Sequence, residues 1–291
     1  MKRTYKVVDV FTSQPLRGNP VAVILDTQGL SADEMQAIAG WTNLSETTFV
    51  LPPTTDAADY RLRIFTPRTE LPFAGHPTLG SAHAVLEANR VALRAGGRLV
   101  QQCDAGLVEL AVQDQGRDRI LTFALPSAKL GPLLTHDTAE LEDILGCKVS
   151  VQSDPAIVDV GPVWVVARLD DASSVLALRP DFTRLAQFER RLDATGVTVF
   201  GAHAHGDPAI EVRTFAPSCG VEEDPVCGSG NASVAAFQRA RGLLPLSGTD
   251  YVATQGRCVG RDGRVNVSVD ASGKVRVGGA CVTCIEGSLM V

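Results

Sequence analysis

The sequence predicts an α+β fold of two pseudo-symmetric lobes, each built of β-strands and a central helix. Three observations carry that expectation. First, four blocks recur in one order in both halves: GNPVAVIL (18–25) with GPVWVVAR (161–168), ETTFV (46–50) with VTVFG (197–201), YRLRIFTP (60–67) with AIEVRTFAP (209–217), and HPTLGSAHA (76–84) with DPVCGSGNA (224–232). Their offsets, about 142 residues for the first block, about 150 for the middle two and about 148 for the last, are too constant for chance matches between valine-rich strands. Second, the 27 glycines favour short strands and tight turns over long helices. Third, strand and helix signals do not alternate βαβα, which disfavours a doubly wound parallel sheet. The repeat sets lobes at 1–127, completed by a C-terminal strand at 280–291, and at 128–279.

In chain order, 6–11 and 20–25 read as strands around a polar turn with Gly18-Asn19-Pro20. Ser31 followed by Glu34 is a capping-box pattern, predicting a helix through Ala39. Thr47–Leu51 and Tyr60–Phe65 read as strands, and Gly80–Asn89 as a helix through Ala82, Val85 and Leu86. Strands are predicted at 99–103, 107–112 and 120–125, a capped helix at 138–145, strands at 157–167, 197–200 and 209–215, and a helix over Ala232–Arg241. The tail from Val252 reads as strands and glycine turns.

Composition narrows the function. Hydrophobic residues make up 45% and charged residues 21%, enough for a real core. The formal charge is −6 with no basic stripe, which argues against nucleic acid; Arg90, Arg94 and Arg98 read as a solvated face. No run has the length of a membrane-spanning helix, and the N-terminus lacks the apolar stretch of a signal peptide. Seven irregularly spaced cysteines in a chain of 291 residues fit a reducing cytoplasm. Cys281 and Cys284 form one CxxC without a second pair for zinc, and His203, His205 and Asp207 read as a polar hairpin tip, so no metal is expected.

The two Gly-Ser turns, Gly80-Ser81 and Gly228-Ser229-Gly230, are read as leading into helices. A helix start offers unpaired N–H groups and the positive end of the dipole, and neither turn carries a P-loop lysine. Together they suit a small carboxylate; either turn alone also reads as ordinary capping. His76 and Asp224 occupy matching positions and can each hold or move a proton, His76 near neutrality and Asp224 once burial or partners raise it. Cys227 at a helix start can become a thiolate, or can be a small buried filler. Its repeat partner by this alignment is Leu79, so a symmetric two-thiol mechanism is not expected.

The stretches GNPVAV (18–23), NLSETTFV (43–50), LRIFTPRTELPFAGHPTLGSA (62–82) and VRTFAPSCGVEEDPVCGSG (212–230) resemble the PhzF-type phenazine-biosynthesis isomerases, within the diaminopimelate-epimerase-like fold. The resemblance covers essentially the whole chain. It implies lobes made of curved, mostly antiparallel sheets around their helices, an active site between the lobes, no cofactor and a homodimer. It implies a glutamate acid/base at Glu46, which spacing alone would not choose. His76, Asp224 and Ser229 match residues that surround the substrate, and Gly75, Gly80, Ser81, Gly228, Ser229 and Gly230 match the groups that hold its carboxylate. Two positions depart from the family pattern: Cys227 stands where threonine is usual, and Asn231 where histidine is usual. The expectation is a cofactor-independent isomerase of a small carboxylate-bearing metabolite. The alternatives are an amino-acid or hydroxy-acid racemase using Glu46 with Cys227 as second base, and a non-catalytic scaffold.

Overall fold

The computed structural model describes residues 1–115, 118–244 and 247–291. The chain folds as two compact units, Met1–Phe123 with Gly278–Val291, and Ala124–Val277. The first runs through β1 (Lys2–Val10), β2 (Asn19–Ile24), α1 (Ala32–Thr42), β3 (Thr47–Leu51), β4 (Tyr60–Phe65), β5 (Glu70–Leu71), α2 (Gly75–Glu87), β6 (Arg98–Cys103), β7 (Gly106–Gln115) and β8 (Asp118–Ala124). The second runs through β9 (Lys129–Pro132), α3 (Thr135–Leu145), β10 (Ala156–Asp159), β11 (Val163–Arg168), α4 (Ala172–Ala177), α5 (Phe182–Arg191), β12 (Gly196–Ala202), β13 (Ile210–Ala216), β14 (Val221–Asp224), α6 (Gly228–Ala240), β15 (Thr249–Gln255) and β16 (Gly263–Val269). The last strand, β17 (Val275–Met290), pairs antiparallel with β1 in a register from Lys2–Met290 to Val10–Cys281.

The two units carry one strand plan. In the first, β2 and β3 are parallel, β3 and β4 antiparallel, β4 and β5 antiparallel, and β4 and β6 parallel. In the second, β11–β12, β12–β13, β13–β14 and β13–β15 repeat those senses in that order. Phe65 pairs with Thr47, and Phe215 with Val197. The α+β architecture expected from the repeat is present, and its strands pair mostly antiparallel, as the resemblance implies.

Each sheet is covered on both faces, which is why β3 and β12 are buried nearly residue by residue and not in alternation. Outside, Met35, Ile38 and Ala39 of α1 pack on Ile24, Phe49 and Phe65. In the second unit Leu141, Ile144 and Leu145 of α3 and Leu185 and Phe188 of α5 pack on Val165, Val197 and Phe215. Inside, α2 and α6 are buried nearly all round, as suits helices with no polar face. Gly80 brings α2 against the sheet: a Cβ there would overlap Val21 and lie 3.0 Å from Val10 Cγ2. Gly230 does the same for α6, where a Cβ would lie 2.6 Å from Thr214 Oγ1 and 3.0 Å from Thr198 Oγ1.

Several expectations need correction. The helix read over Gly80–Asn89 begins at Gly75, and the one read from Ala232 begins at Gly228. The capping box at Ser31–Glu34 is made, but α3 starts after Leu134 without a side-chain cap. The strand read over 157–167 is a hairpin, broken at Gly161, whose φ of +107° suits only glycine. Helices α4 and α5, capped by Asp171 and Asp181, add two elements that the sequence pattern does not predict.

Candidate active site

In the first unit the site grows from three short connections. Asn19 opens β2, and Glu46 precedes β3, its carbonyl accepting from Ala22 N–H at 3.3 Å. His76 is the second residue of α2. The fold brings His76 Nε2 to 3.1 Å from Glu46 Oε2, with 8% and 16% of the two side chains exposed. On its other edge His76 Nδ1 lies 3.5 Å from Asn19 Nδ2. An amide nitrogen can only donate, so Nδ1 accepts and the ring proton sits on Nε2, the edge that faces Glu46. Burial pushes the His76 imidazole down to about 3, so the ring is neutral at pH 7.

In the second unit Asp224 ends β14, opposite Thr214 of β13. Its Oδ1 accepts from Val226 N–H at 3.1 Å, and its main-chain carbonyl accepts from Gln255 Nε2 at 2.9 Å. Burial pushes the Asp224 carboxyl up to about 6; hydrogen bonds from Cys227 and Val226 pull the other way, and Glu223 adds a push upward. The residue keeps some exposure, but dense protein around the carboxyl dominates. Glu223 is buried in a two-pronged pair with Arg213.

Cys227 caps α6, its sulfur accepting from Gly230 N–H at 3.3 Å and lying 3.5 Å from Ser229 Oγ. The expectation that a helix start would lower this thiol is overturned. Burial pushes it well above its ordinary value, and the neighbouring Asp224 adds to the push, so it is a thiol and not a thiolate. Ser229 Oγ accepts from the Trp164 indole N–H at 3.2 Å. Since that indole can only donate, the serine hydroxyl proton can turn either to the Cys227 sulfur or to a ligand.

Helix positions also correct the repeat register. Gly75 and Gly228 open helices of 13 residues each, so the helices stand 153 positions apart (228 less 75) and not about 148. In this register Ser229 matches His76, Leu71 matches Asp224, and Ala74 rather than Leu79 matches Cys227. Gly80 and Ser81 are therefore not a helix start. Both are buried inside α2, and Ser81 Oγ bonds Thr48 Oγ1 at 2.8 Å, so they serve packing and cannot meet a substrate carboxylate. Gly75 and Gly228 hold the first helical positions, and the Gly230 N–H is taken by Cys227.

Sequence reasoning missed Asn19, Trp164 and Gln255. Asn19 lies within the repeated stretch GNPVAV, and an asparagine ahead of a strand was the available signal. Trp164 and Gln255 sit inside strands and had none. A cavity of about 840 Å³ in the second unit, lined by Phe182, Arg213, Glu223 and Cys258 among others, contains no candidate residue. In the Arg213–Glu223 pair on its wall, Arg213 already makes four hydrogen bonds to protein acceptors.

Against known proteins, residues 8–287 match the family model described as phenazine biosynthesis-like protein, PhzC-PhzF. The chain is 44% identical over 300 residues to Antisense-enhancing sequence 1 of Schizosaccharomyces pombe, covering 100% of this chain and 99% of that one. It is 35% identical over 291 residues to the trans-2,3-dihydro-3-hydroxyanthranilate isomerase of Pseudomonas aeruginosa, covering 97% and 98%. A crystal structure of the Bacillus anthracis phenazine biosynthesis protein of the PhzF family superposes with a TM-score of 0.89, covering 100% of both chains at 21% identity.

Proposed function

The chain belongs to the phenazine biosynthesis-like PhzC/PhzF family and is an isomerase of that family, and on that footing we propose that it moves a C–H proton on a small carboxylate-bearing metabolite without a cofactor, with Glu46 as acid and base. The observation that carries this reading is the His76–Glu46 contact of 3.1 Å, a largely buried carboxylate with a neutral imidazole N–H beside it. In this reading that contact positions the carboxylate to take a proton from carbon.

Carbon acids are weak, so the charge that develops on abstraction must be spread into the substrate's carboxyl group and met by fixed donors. In this reading the Ser229 hydroxyl and the first N–H groups of the central helices take that carboxylate. Asp224, with its carboxyl raised to about 6, supplies or shares a proton at a polar substituent in mildly acidic and neutral solution. Glu46 then returns its proton to a different carbon of the same molecule, so the double bond migrates and atoms balance without an external reductant.

The acid named for the Pseudomonas aeruginosa relative, trans-2,3-dihydro-3-hydroxyanthranilate, is the first probe. Incubated in heavy water with wild-type protein, it is expected to take up deuterium at carbon as the double bond moves. Glu46→Gln should lower that rate by about 10²–10⁴-fold, the usual contribution of a positioned acid/base. Undiminished exchange in Glu46→Gln sinks the assignment of Glu46.

A further inference from the structure

We infer that Cys227 is a positioning residue, a protonated sulfur cap that ties Asp224 and Ser229 to the start of α6, and not a proton-transferring base. The inference rests on the reading of Asp224 and Ser229 given under Proposed function. It begins from a difference between the two central helices. The third helical position of α2 is Pro77, which has no N–H, and its cap residue Ala74 makes no side-chain bond. The third position of α6 is Gly230, which has an N–H at the point where a helix offers no carbonyl. That N–H goes to Cys227 Sγ at 3.3 Å. A side-chain acceptor therefore appears in the repeat only where there is a donor to satisfy.

Every polar atom of Cys227 is engaged. Its N–H donates to Gln255 Oε1 at 3.1 Å. Its carbonyl accepts from Asn231 N at 3.1 Å and from Asn231 Nδ2 at 2.9 Å. The same Asn231 amide donates to Gln255 Oε1 at 2.8 Å, closing a loop whose other arm, Gln255 Nε2, holds the Asp224 carbonyl. The thiol proton is directed at the Asp224 carboxyl, and the sulfur lies 3.5 Å from Ser229 Oγ, which Trp164 holds from its far side. Removing the thiol proton would set a buried thiolate against Asp224 and break the link that orients it. The residue is 6% exposed, so water would not offset that charge. What the position requires is a short side chain that both accepts and donates, which threonine and serine also supply.

The test compares wild type with Cys227→Thr, Cys227→Ser and Cys227→Ala on the full chain. The Asp224 titration is followed by NMR of ¹³C-aspartate-labelled protein, its resonance identified by its loss in Asp224→Asn. The threonine and serine variants should keep the Asp224 midpoint and the urea midpoint. The alanine variant should raise the Asp224 midpoint by about 0.5–1 pH, the loss of one weak donor to the charged form, and lower the urea midpoint. With an acid that wild type turns over, threonine or serine should hold kcat within about threefold, while alanine lowers kcat about tenfold with less change in KM. An Asp224 midpoint equal in all four proteins overturns the inference. So does loss of exchange in Cys227→Thr and Cys227→Ser to the level of Glu46→Gln with both midpoints unchanged, which is the mark of a base. If wild type exchanges no acid offered, the isomerase reading falls alone, because the titration and urea arms still decide the cap.

Discussion

The two units contain the same ion pair in different surroundings. On β4, Arg63 meets Glu70 through two bonds of 2.7 Å and lies 5.1 Å over the Phe65 ring. On β13, Arg213 meets Glu223 at 3.0 and 2.7 Å and lies 5.0 Å over the Phe215 ring. The first pair is 20% and 28% exposed, the second 5% and 6%. The difference comes from the C-terminal end of α4, where the Val175 and Leu178 carbonyls close over Arg213 and take its Nη1 at 3.1 and 3.0 Å. Identical chemistry thus has two meanings. The covered pair is a network in which Arg213 makes four hydrogen bonds and each charge depends on the other, whereas the open pair can be replaced by water.

The largest effect should separate these two pairs. Glu223→Ala is expected to cost about 3–5 kcal/mol by urea unfolding, since it strands a buried guanidinium, while Glu70→Ala should cost about 1 kcal/mol or less. The double variant Arg213→Met with Glu223→Leu should recover much of the loss. Equal costs for Glu223→Ala and Glu70→Ala would erase the distinction.

The helix glycines give a second contrast. Gly80→Ala and Gly230→Ala should each cost about 1–3 kcal/mol, because a methyl group would press on Val21 in one case and on the Thr198–Thr214 hydroxyl pair in the other. Gly75→Ala meets only the rim of the Phe123 ring, at 3.2 Å, and should cost less than about 1 kcal/mol. A tolerated Gly80→Ala would argue against the close seating of α2 on Val21 and Val10.

A smaller and subtler effect lies in pH. His76 titrates at 6.5 in an unfolded chain and at about 3 when folded. Below pH 6.5 the unfolded chain takes up a proton that the folded one refuses, so this residue lowers stability as pH falls toward 3. Asp224 titrates at 3.8 unfolded and about 6 folded. The folded chain retains that proton longer, so its contribution is full below pH 3.8 and is lost as pH rises through 6. Between about pH 4 and 6 the two slopes oppose one another, each at most about 1.4 kcal/mol per pH unit. His76→Gln should leave stability falling with rising pH across that window, relative to wild type, and Asp224→Asn should leave it rising. Urea curves at pH 4, 5 and 6 would show this; slopes that both shift the same way would contradict it.

The same contrast explains what could be read in the chain. Thr47–Leu51 and Tyr60–Phe65 were legible to the residue, because β-branched and aromatic runs there end at turn residues. The capping box at Ser31 was legible because both halves of it are local. The start of α2 was not. Its cap is an alanine, its third residue a proline, and it is buried all round, so neither a capping residue nor a one-sided stripe marks its first turn. Helix α5 was missed although Asp181 caps it, its arginines and Glu189 hiding a stripe of Phe182, Leu185 and Phe188. Of the candidate site, His76, Asp224 and Ser229 were read from the repeated motifs and Glu46 from the resemblance, but their neighbours Asn19, Trp164 and Gln255 were not read.

By itself the sequence determined the repeated strand plan, the fold class and the family, because strand propensity, local caps and ordered motifs are written over a few residues at a time. Tertiary structure alone decided that Glu46 and His76, thirty positions apart, share a contact of 3.1 Å, that Gly80 and Ser81 are packing residues, and that Cys227 keeps its proton. Burial is the physical reason. It sets which groups are deprived of water, and that depends on chain segments distant in sequence, as the carbonyls over Arg213 show.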